Sequence, residues 1–408
     1  MQQEARFVAY VTGGALILAA LGFAQQSHEF QDPVSKLDRR LLSGDAALDF
    51  DAKNGYLASL LKRLDIRTDS QILVFSKTSF QQEFISPKKP RALYFNDDTI
   101  VSFVQDAPLF EFVALDPSEG LQFFTMPQRE TAQPRLKAER SSCTFCHGQI
   151  NKWAQGIMVA TVFPAPNGQP YHPPGELFHL TDHRSPFEER WGGYYVTGTH
   201  GAIRHRGNAF APDAEHRDRL DTSKSGNVTS LKDRFDVTKY LEPTSDIIAL
   251  MTFEHQTMLT NILTSVGAQF RAAKSFPTPD AQLDAEIDRL VSFMLFIDET
   301  KLESPIKGVS SFTETFPRRG PRDAKGRSLR DFDLKDRLFR YPLSYMIYSA
   351  AFEGLPDDAR EKTYRRLYAV LKGDVSGAKY EQIPPQRRRE ILEILVATKP
   401  NLPEFFKL

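Results

Sequence analysis

Short apolar runs alternate with turn residues between positions 71 and 126 of the chain. Val, Ile, Leu and Phe dominate the runs, and Asn96-Asp97-Asp98 and Asp116-Pro117 are among the breaks. Runs of this length with breaks of this kind predict strands that pair as antiparallel hairpins. The predicted strands are 72–75, 92–95, 99–104, 110–115 and 121–124.

Two later segments, 157–163 and 194–199, have the same strand-like character. The residues between them are rich in Pro, Gly and His, which predicts loop rather than regular structure. From the predicted N-terminus of the mature chain to residue 142, the pattern indicates strands, so the first part of the protein is expected to be β-rich.

From about residue 244 the spacing of apolar positions becomes that of helices. Apolar side chains from Ile247 to Ile262 recur at steps of three and four residues, which places them on one face of an amphipathic helix. The segment 334–352 is apolar nearly all round, so a buried helix is expected there. The predicted helices are 247–262, 283–294, 334–352, 364–371 and 387–398.

These patterns predict an α+β protein with a β-rich N-terminal part, 25–243, and an α-helical part, 244–408. The chain has 408 residues, more than the roughly 150 that one domain usually takes, so two parts are reasonable. Its formal net charge is zero. Nucleic acid is therefore not an expected partner, because that partner selects a basic surface.

The run Cys143-Thr144-Phe145-Cys146-His147 has the spacing that attaches haem covalently in c-type cytochromes. Each cysteine sulfur can add across one haem vinyl group, and the histidine after the second cysteine binds the iron from the proximal side. One helical turn would bring both sulfurs to the same side, so a short helix is expected. We predict one covalently attached haem c, with Cys143 and Cys146 as attachment points and His147 as iron ligand.

Two other uses of a Cys-x-x-Cys pair compete with haem. A zinc site would need two further ligands, here histidines distant in the sequence. A redox dithiol is expected in a βαβ context and gives no role to His147. Cys143 and Cys146 are the only cysteines in the chain, so no other thiol is present to assist either chemistry.

Residues 1–24 have the pattern of an export signal, which favours haem. Arg6 supplies the positive charge, 7–21 is apolar, and Gly22-Phe23-Ala24 offers small residues to a signal peptidase. The apolar run is shorter than the roughly 20 residues that span a bilayer comfortably. An uncleaved anchor over 7–23 is the alternative, and the membrane would be a partner only in that case. Either way the bulk of the chain is expected in the periplasm, where c-type haem is attached.

Several phrases outside the cysteine run are distinctive, among them Glu254-His255-Gln256 and the aromatic, Gly-rich stretch 190–201. The others are 73–79, 90–98 and 341–348. With Cys-x-x-Cys-His, they make the chain resemble a family of exported bacterial proteins described as cytochrome c domain-containing, of unassigned function. The resemblance covers nearly the whole mature chain and implies haem binding and export but no substrate. Where that family is expected to have His-Met-Gly-Asn, this chain has His205-Arg206-Gly207-Asn208, which removes one possible methionine ligand.

The second axial position of the iron would separate an electron carrier from a catalyst. His200 lies in a Gly-rich strand end, His205 lies between two arginines that could instead pair with haem propionates, and His255 lies on the apolar stripe of its helix. Each could be the distal ligand, each could be an ordinary hydrogen-bonded histidine, and the position could be empty. Weaker candidates are Met158, His172, His179 and His183.

We expect an exported monohaem c-type cytochrome that transfers single electrons. Its partner would be a redox protein or a small-molecule electron donor or acceptor. The second hypothesis is a peroxidase-like haem oxidoreductase, with His147 proximal and an open distal side. The third is a haem-based sensor or binding protein. A sixth ligand favours the first hypothesis, and an open position with a distal Arg or His favours the second.

Overall fold

The computed structural model describes residues 29–139, 143–148, 150–172, 179–375 and 377–406, so the predicted export segment 1–24 lies outside the described residues. The strands are β1 (Ile72–Val74), β2 (Arg91–Phe95), β3 (Thr99–Phe103), β4 (Leu109–Asp116), β5 (Gly120–Pro127), β6 (Lys137–Ala138), β7 (Ala160–Thr161), β8 (Phe163–Pro164), β9 (Pro170–Tyr171), β10 (His179–Leu180) and β11 (Tyr194–Tyr195). The helices are α1 (Pro33–Ser43), α2 (Leu57–Arg63), α3 (Thr144–His147), α4 (Ile247–Ala273), α5 (Asp280–Met294), α6 (Phe312–Thr315), α7 (Ala350–Glu353), α8 (Asp357–Lys372), α9 (Ala378–Glu381) and α10 (Pro385–Thr398).

An antiparallel sheet of seven strands organises the N-terminal part, in the order β11-β1-β2-β3-β4-β5-β6. Its first hairpin turns where the Asn96 side chain accepts hydrogen bonds from the backbone of Asp98 and Thr99. The second turns where Asp116 does the same for Ser118 and Glu119. Short polar side chains that bond to nearby backbone favour such turns. The five strands predicted between residues 72 and 124 are confirmed.

The two faces of the sheet belong to two different cores. Side chains alternate along a strand, so Leu93 and Phe95 face one way while Ala92 and Tyr94 face the other. Leu93 and Phe95 pack with α4 and the helices that follow it. Ala92 and Tyr94 pack with α1 and α2. The sheet is therefore covered by helices on both faces over part of its area, and the α+β class is confirmed.

Helix α4 is the central element of the larger core. It has 27 residues and extends beyond the predicted end at 262. It is buried on nearly every side, so it is not a surface amphipathic helix. Asp246 caps its start by accepting from the backbone of Ile248, and it also binds the backbone of Val309 and Ser310. Glu254, one of several polar residues on α4, is buried among partners from other segments.

The predicted helix 334–352 is wrong, although most of that segment is buried. Its helical content is limited to a 3₁₀ turn, Tyr345–Tyr348, and to α7. Pro342 lacks a backbone N–H and restricts the residue before it, which disfavours a continuous helix. Leu343, Tyr345 and Met346 are fully buried, so the apolar pattern predicted burial correctly but not conformation.

The expectation of strands alone before the cysteine run is also wrong, because α1 and α2 precede the sheet. Asp32 caps α1 by accepting from two backbone N–H groups, and Gly44 ends it in the left-handed conformation. The segments 157–163 and 194–199 form only short strands, since the backbone of Thr197 bonds to Ser245 instead of continuing a ladder. Among the described residues, no helix combines the length and apolar character that a membrane crossing needs.

Candidate functional site

The cysteine run forms helix α3, as predicted, shortly after the edge strand β6. The backbone N–H of His147 donates to the Cys143 carbonyl at 3.0 Å, which closes one helical turn. Cys143 is half-buried and packs against the larger core, whereas Cys146 is exposed. Both thiols are free, so both are open to covalent attachment.

His147 is oriented by the backbone of Gly156. Its Nδ1 lies 2.7 Å from the Gly156 carbonyl oxygen, and the Gly156 N–H donates to the His147 carbonyl at 2.9 Å. A carbonyl can only accept, so Nδ1 carries the proton and Nε2 keeps its lone pair. Metal-ligating histidines are commonly held in this way, with one ring nitrogen donating to a carbonyl and the other directed at the metal.

One face of the sheet lies against this helix. The ring of Phe123 on β5 lies 4.5 Å from the His147 ring, measured between centroids. Val113 on β4 is paired with Phe123 in the sheet register and is partly buried on the same face. The site therefore has an apolar wall beside the candidate iron ligand.

Arg91 on β2 is a half-buried cation on the same face of the sheet. Its Nε is fully buried and has no hydrogen-bond partner in the described structure. It shares a face of β2 with Leu93 and Phe95. Its positive charge acts to lower the pKa of His147 and of Tyr194. A buried guanidinium nitrogen without a partner is costly unless an anion binds it. Arg91 thus marks a place where a carboxylate would be stabilised.

The protonation states of the motif are set mainly by burial. Burial lowers the pKa of His147, Arg91 acts in the same direction, and the Gly156 carbonyl opposes both. The imidazole is therefore neutral at pH 7 and able to donate its lone pair. Burial raises the pKa of the Cys143 thiol to about 11, with help from nearby Glu111 and Glu139. The Cys143 thiol is therefore protonated at pH 7.

His255 has both ring nitrogens engaged by side chains. Its Nδ1 lies 2.9 Å from Nδ1 of His183, and its Nε2 lies 2.8 Å from Oγ of Ser344. Its ring stacks on Phe296 at 4.1 Å and on Phe293 at 5.4 Å. The structure therefore gives His255 the arrangement of a hydrogen-bonded core histidine.

His200 and His205 form a second buried pair, with their Nε2 atoms 3.2 Å apart. Nε2 of His200 also accepts from the Asn227 N–H at 2.9 Å. Their segment joins the fold where Thr197 pairs with Asp246, at the start of α4. The segment that orients His147 bonds instead to Asn261, in the middle of that helix.

The weaker candidates are dispersed. His179 and His183 have a spacing that could complete a zinc site, yet His179 pairs with Glu189 and His183 with His255. Met158 is half-buried one residue beyond Ile157, and His172 is exposed. No group of three or more His, Cys, Asp or Glu within the described ranges could hold a metal ion.

Sequence reasoning missed Arg91, Gly156 and Asn261 as parts of the site. Arg91 gave a usable signal, because it shares a strand face with apolar residues. Asn261 gave a weaker one, as an amide within a mostly apolar helix. Gly156 gave none, since its role is a backbone carbonyl.

No family model, no curated protein and no solved structure matches this chain in comparisons with known proteins. The resemblance to exported cytochrome c domain-containing proteins therefore stays a prediction made from the quoted motifs.

Proposed function

We propose that this protein is an exported monohaem c-type cytochrome that carries single electrons. Cys143 and Cys146 would hold one haem c, and Nε2 of His147 would bind its iron. The hydrogen bond from His147 Nδ1 to the Gly156 carbonyl is the main support, because it leaves Nε2 with a free lone pair. Two free cysteines one helical turn apart provide the matching attachment points.

Haem c, when bound, supplies a one-electron couple: an electron enters from a reduced partner and leaves to an oxidised one, and no covalent bond forms or breaks. The residues of the chain would bind the haem, orient the iron ligand His147 and shield that ligand from water. His147 presents a neutral imidazole in a fixed tautomer. Phe123 keeps water from one side of that ring, and a drier environment strengthens electrostatic control of the iron.

Arg91 is the residue best suited to a haem propionate. Its unpartnered Nε lies on the sheet face that carries Phe123, and guanidinium–carboxylate bonds are strong where water is scarce. Its charge would also favour ferrous over ferric iron, because the ferric form carries one more positive charge.

A peroxidase-like role is the second candidate, and one observation favours it. The histidines considered as distal ligands bond to other residues: His255 uses both ring nitrogens, and His200 and His205 bond to each other. An iron without a sixth protein ligand could bind hydrogen peroxide. Reduction to two water molecules would take two protons and two electrons, the electrons coming from a reduced redox partner.

Export is part of the proposal and rests on residues 1–24. A periplasmic location follows if the segment is cleaved after Ala24 or anchors the chain over 7–23. Sequencing the N-terminus of the protein recovered from cell fractions separates the two: a soluble periplasmic form that starts after Ala24 supports cleavage. A full-length protein in the cytoplasm would contradict export.

Covalent attachment is tested by replacing the cysteines. We expect Cys143→Ala and Cys146→Ala each to leave at most one thioether bond, and the double variant to lose all haem that survives denaturing gel electrophoresis. His216→Ala, at an exposed histidine, is the matched control and should keep the haem stain. Wild-type protein that lacks the stain after co-expression with the maturation apparatus would refute the proposal.

A further inference from the structure

The side-chain amide of Asn261 on α4 holds the segment that orients His147. Its Nδ2 donates to the Ile157 carbonyl at 2.6 Å, and its Oδ1 accepts from the Ile157 N–H at 2.9 Å. Both hydrogen bonds are buried, and Asn261 is only 6% exposed. The amide thus pairs with the backbone of Ile157 as a neighbouring strand would.

The same residue holds the other end of the segment. Nδ2 of Asn151 donates to the Asn261 backbone carbonyl at 3.0 Å. The segment from Asn151 to Ile157 is therefore attached to α4 at both ends. Because α4 is buried on nearly every side, it gives this loop a rigid support.

Gly156 lies within that segment in a space that admits no side chain. A Cβ atom there would be 2.8 Å from Cγ2 of Ile150 and 3.2 Å from Oδ1 of Asn261. The peptide is thus confined from two sides. Its carbonyl has little freedom to move away from His147 Nδ1, which lies 2.7 Å from it.

We propose that Asn261 is a positioning residue for the axial ligand His147. Through Ile157 and Gly156, it fixes the carbonyl that accepts the Nδ1 proton, and it thereby sets how strongly Nε2 donates to iron. The inference rests on the proposed function, since it concerns a haem iron. Outer hydrogen bonds of this kind raise the basicity of a ligating histidine and tune the metal.

The test replaces Asn261 by Leu in the matured protein. Leu keeps the branching of the side chain, is somewhat larger, and removes both hydrogen bonds to Ile157. We expect haem to remain attached, the reduction potential to rise, and the ferrous iron–imidazole stretching band in resonance Raman spectra to move to lower frequency. A weaker Nδ1–H bond makes Nε2 a poorer donor, which favours ferrous iron and lengthens the iron–nitrogen bond.

Gly156→Ala is a second variant, and it disturbs the carbonyl without changing Asn261. The added Cβ would be 2.8 Å from Cγ2 of Ile150, so the peptide or the Ile150 side chain must shift. The band and the potential should move in the same directions as in Asn261→Leu. This variant keeps the inference testable if Asn261→Leu does not mature.

Asn208→Leu is the matched control. Asn208 makes the same double hydrogen bond, with its Oδ1 and Nδ2 each 2.8 Å from the backbone of Val196. Its φ of 64° adds strain for Leu, so this variant should lose at least as much stability as Asn261→Leu. It should leave the Raman band and the potential unchanged.

The outcomes separate the inference from the proposed function. Attached haem with an unchanged band and potential in Asn261→Leu and Gly156→Ala would overturn the inference alone. An equal shift in Asn208→Leu would also overturn it, because general loosening would then explain the effect. Wild-type protein without covalent haem would overturn the proposed function.

Discussion

His147 is half-buried and His255 fully buried, both beside aromatic rings, yet their ring nitrogens are used differently. Both nitrogens of His255 meet side chains, those of His183 and Ser344. One nitrogen of His147 meets a backbone carbonyl, and no described residue bonds to the other. The comparison shows that burial alone does not identify a ligand. A histidine organised to bind a metal keeps one lone pair free and has its other nitrogen fixed.

The two histidines also depend on α4 in different ways. His255 is part of that helix, beside Glu254, which pairs with the buried Arg190. His147 lies outside it and is connected to it through Gly156, Ile157 and Asn261. Disturbing His255 should therefore affect the core first, whereas disturbing His147 should affect the haem first.

The largest expected effect comes from removing each histidine in turn. His255→Ala should lower the free energy of unfolding by about 3 kcal/mol, because it leaves Nδ1 of His183 without a partner, removes one hydrogen bond of Ser344 and opens a cavity. His147→Ala should cost about 1 kcal/mol, since it loses one hydrogen bond and one ring contact. Chemical denaturation of both variants measures these changes.

Haem spectra of the same variants complete the comparison. His147→Ala should remove the iron–imidazole signature, and His255→Ala should leave the spectrum as in wild type. Conversion of low-spin to high-spin iron by His255→Ala would show that His255 leaves His183 and binds the iron as distal ligand.

The next expected effect is on pH dependence. Burial lowers the pKa of His183 well below its ordinary value and lowers the pKa of His255 to about 3. The unfolded chain takes up protons near pH 6.5, where the folded chain does not. Stability is therefore full above that pH and is lost as the pH falls toward 3.

Each such histidine gives a slope of about 1.4 kcal/mol per pH unit within that window. His255→Gln should lower this slope by the contribution of one histidine. Chemical denaturation between about pH 6.5 and 4.5 measures the change, because carboxylates titrate mostly below that range. Equal slopes in variant and wild type would mean that His255 is protonated in the folded protein.

The smallest expected effect concerns the aromatic wall beside His147. Phe123→Leu removes a ring contact of 4.5 Å and should cost about 1 kcal/mol, with a small shift in the haem spectrum. Phe124→Leu is the matched control, because Phe124 is equally buried but faces the other core. A spectral shift in the Phe124 variant alone would place the haem on the opposite face of the sheet.

The sequence patterns predicted local elements better than the contacts between them. The five central strands and helices α4, α5, α8 and α10 follow apolar spacings that each segment carries by itself. The segment 334–352 shows the limit: its apolar residues serve burial in irregular backbone. Apolar composition reports contact with a core, whereas conformation there depends on Pro342 and on packing partners elsewhere in the chain.

From the sequence, the candidate site was predicted only as far as the motif itself. Cys143, Cys146 and His147 are recognised by their spacing, and one helical turn follows from it. The residues that orient His147 are distant in the sequence, since Asn261 acts from α4 through backbone groups. Such relations arise from tertiary packing and leave no periodic trace.

The intact mass of the purified mature protein under denaturing conditions tests the central claim most directly. After co-expression with the c-type maturation apparatus, we predict one species, heavier than the polypeptide by the mass of one haem. A tryptic peptide containing Cys143 and Cys146 should carry the added mass. A mass equal to that of the bare polypeptide, with zinc present in the native protein, would contradict the claim.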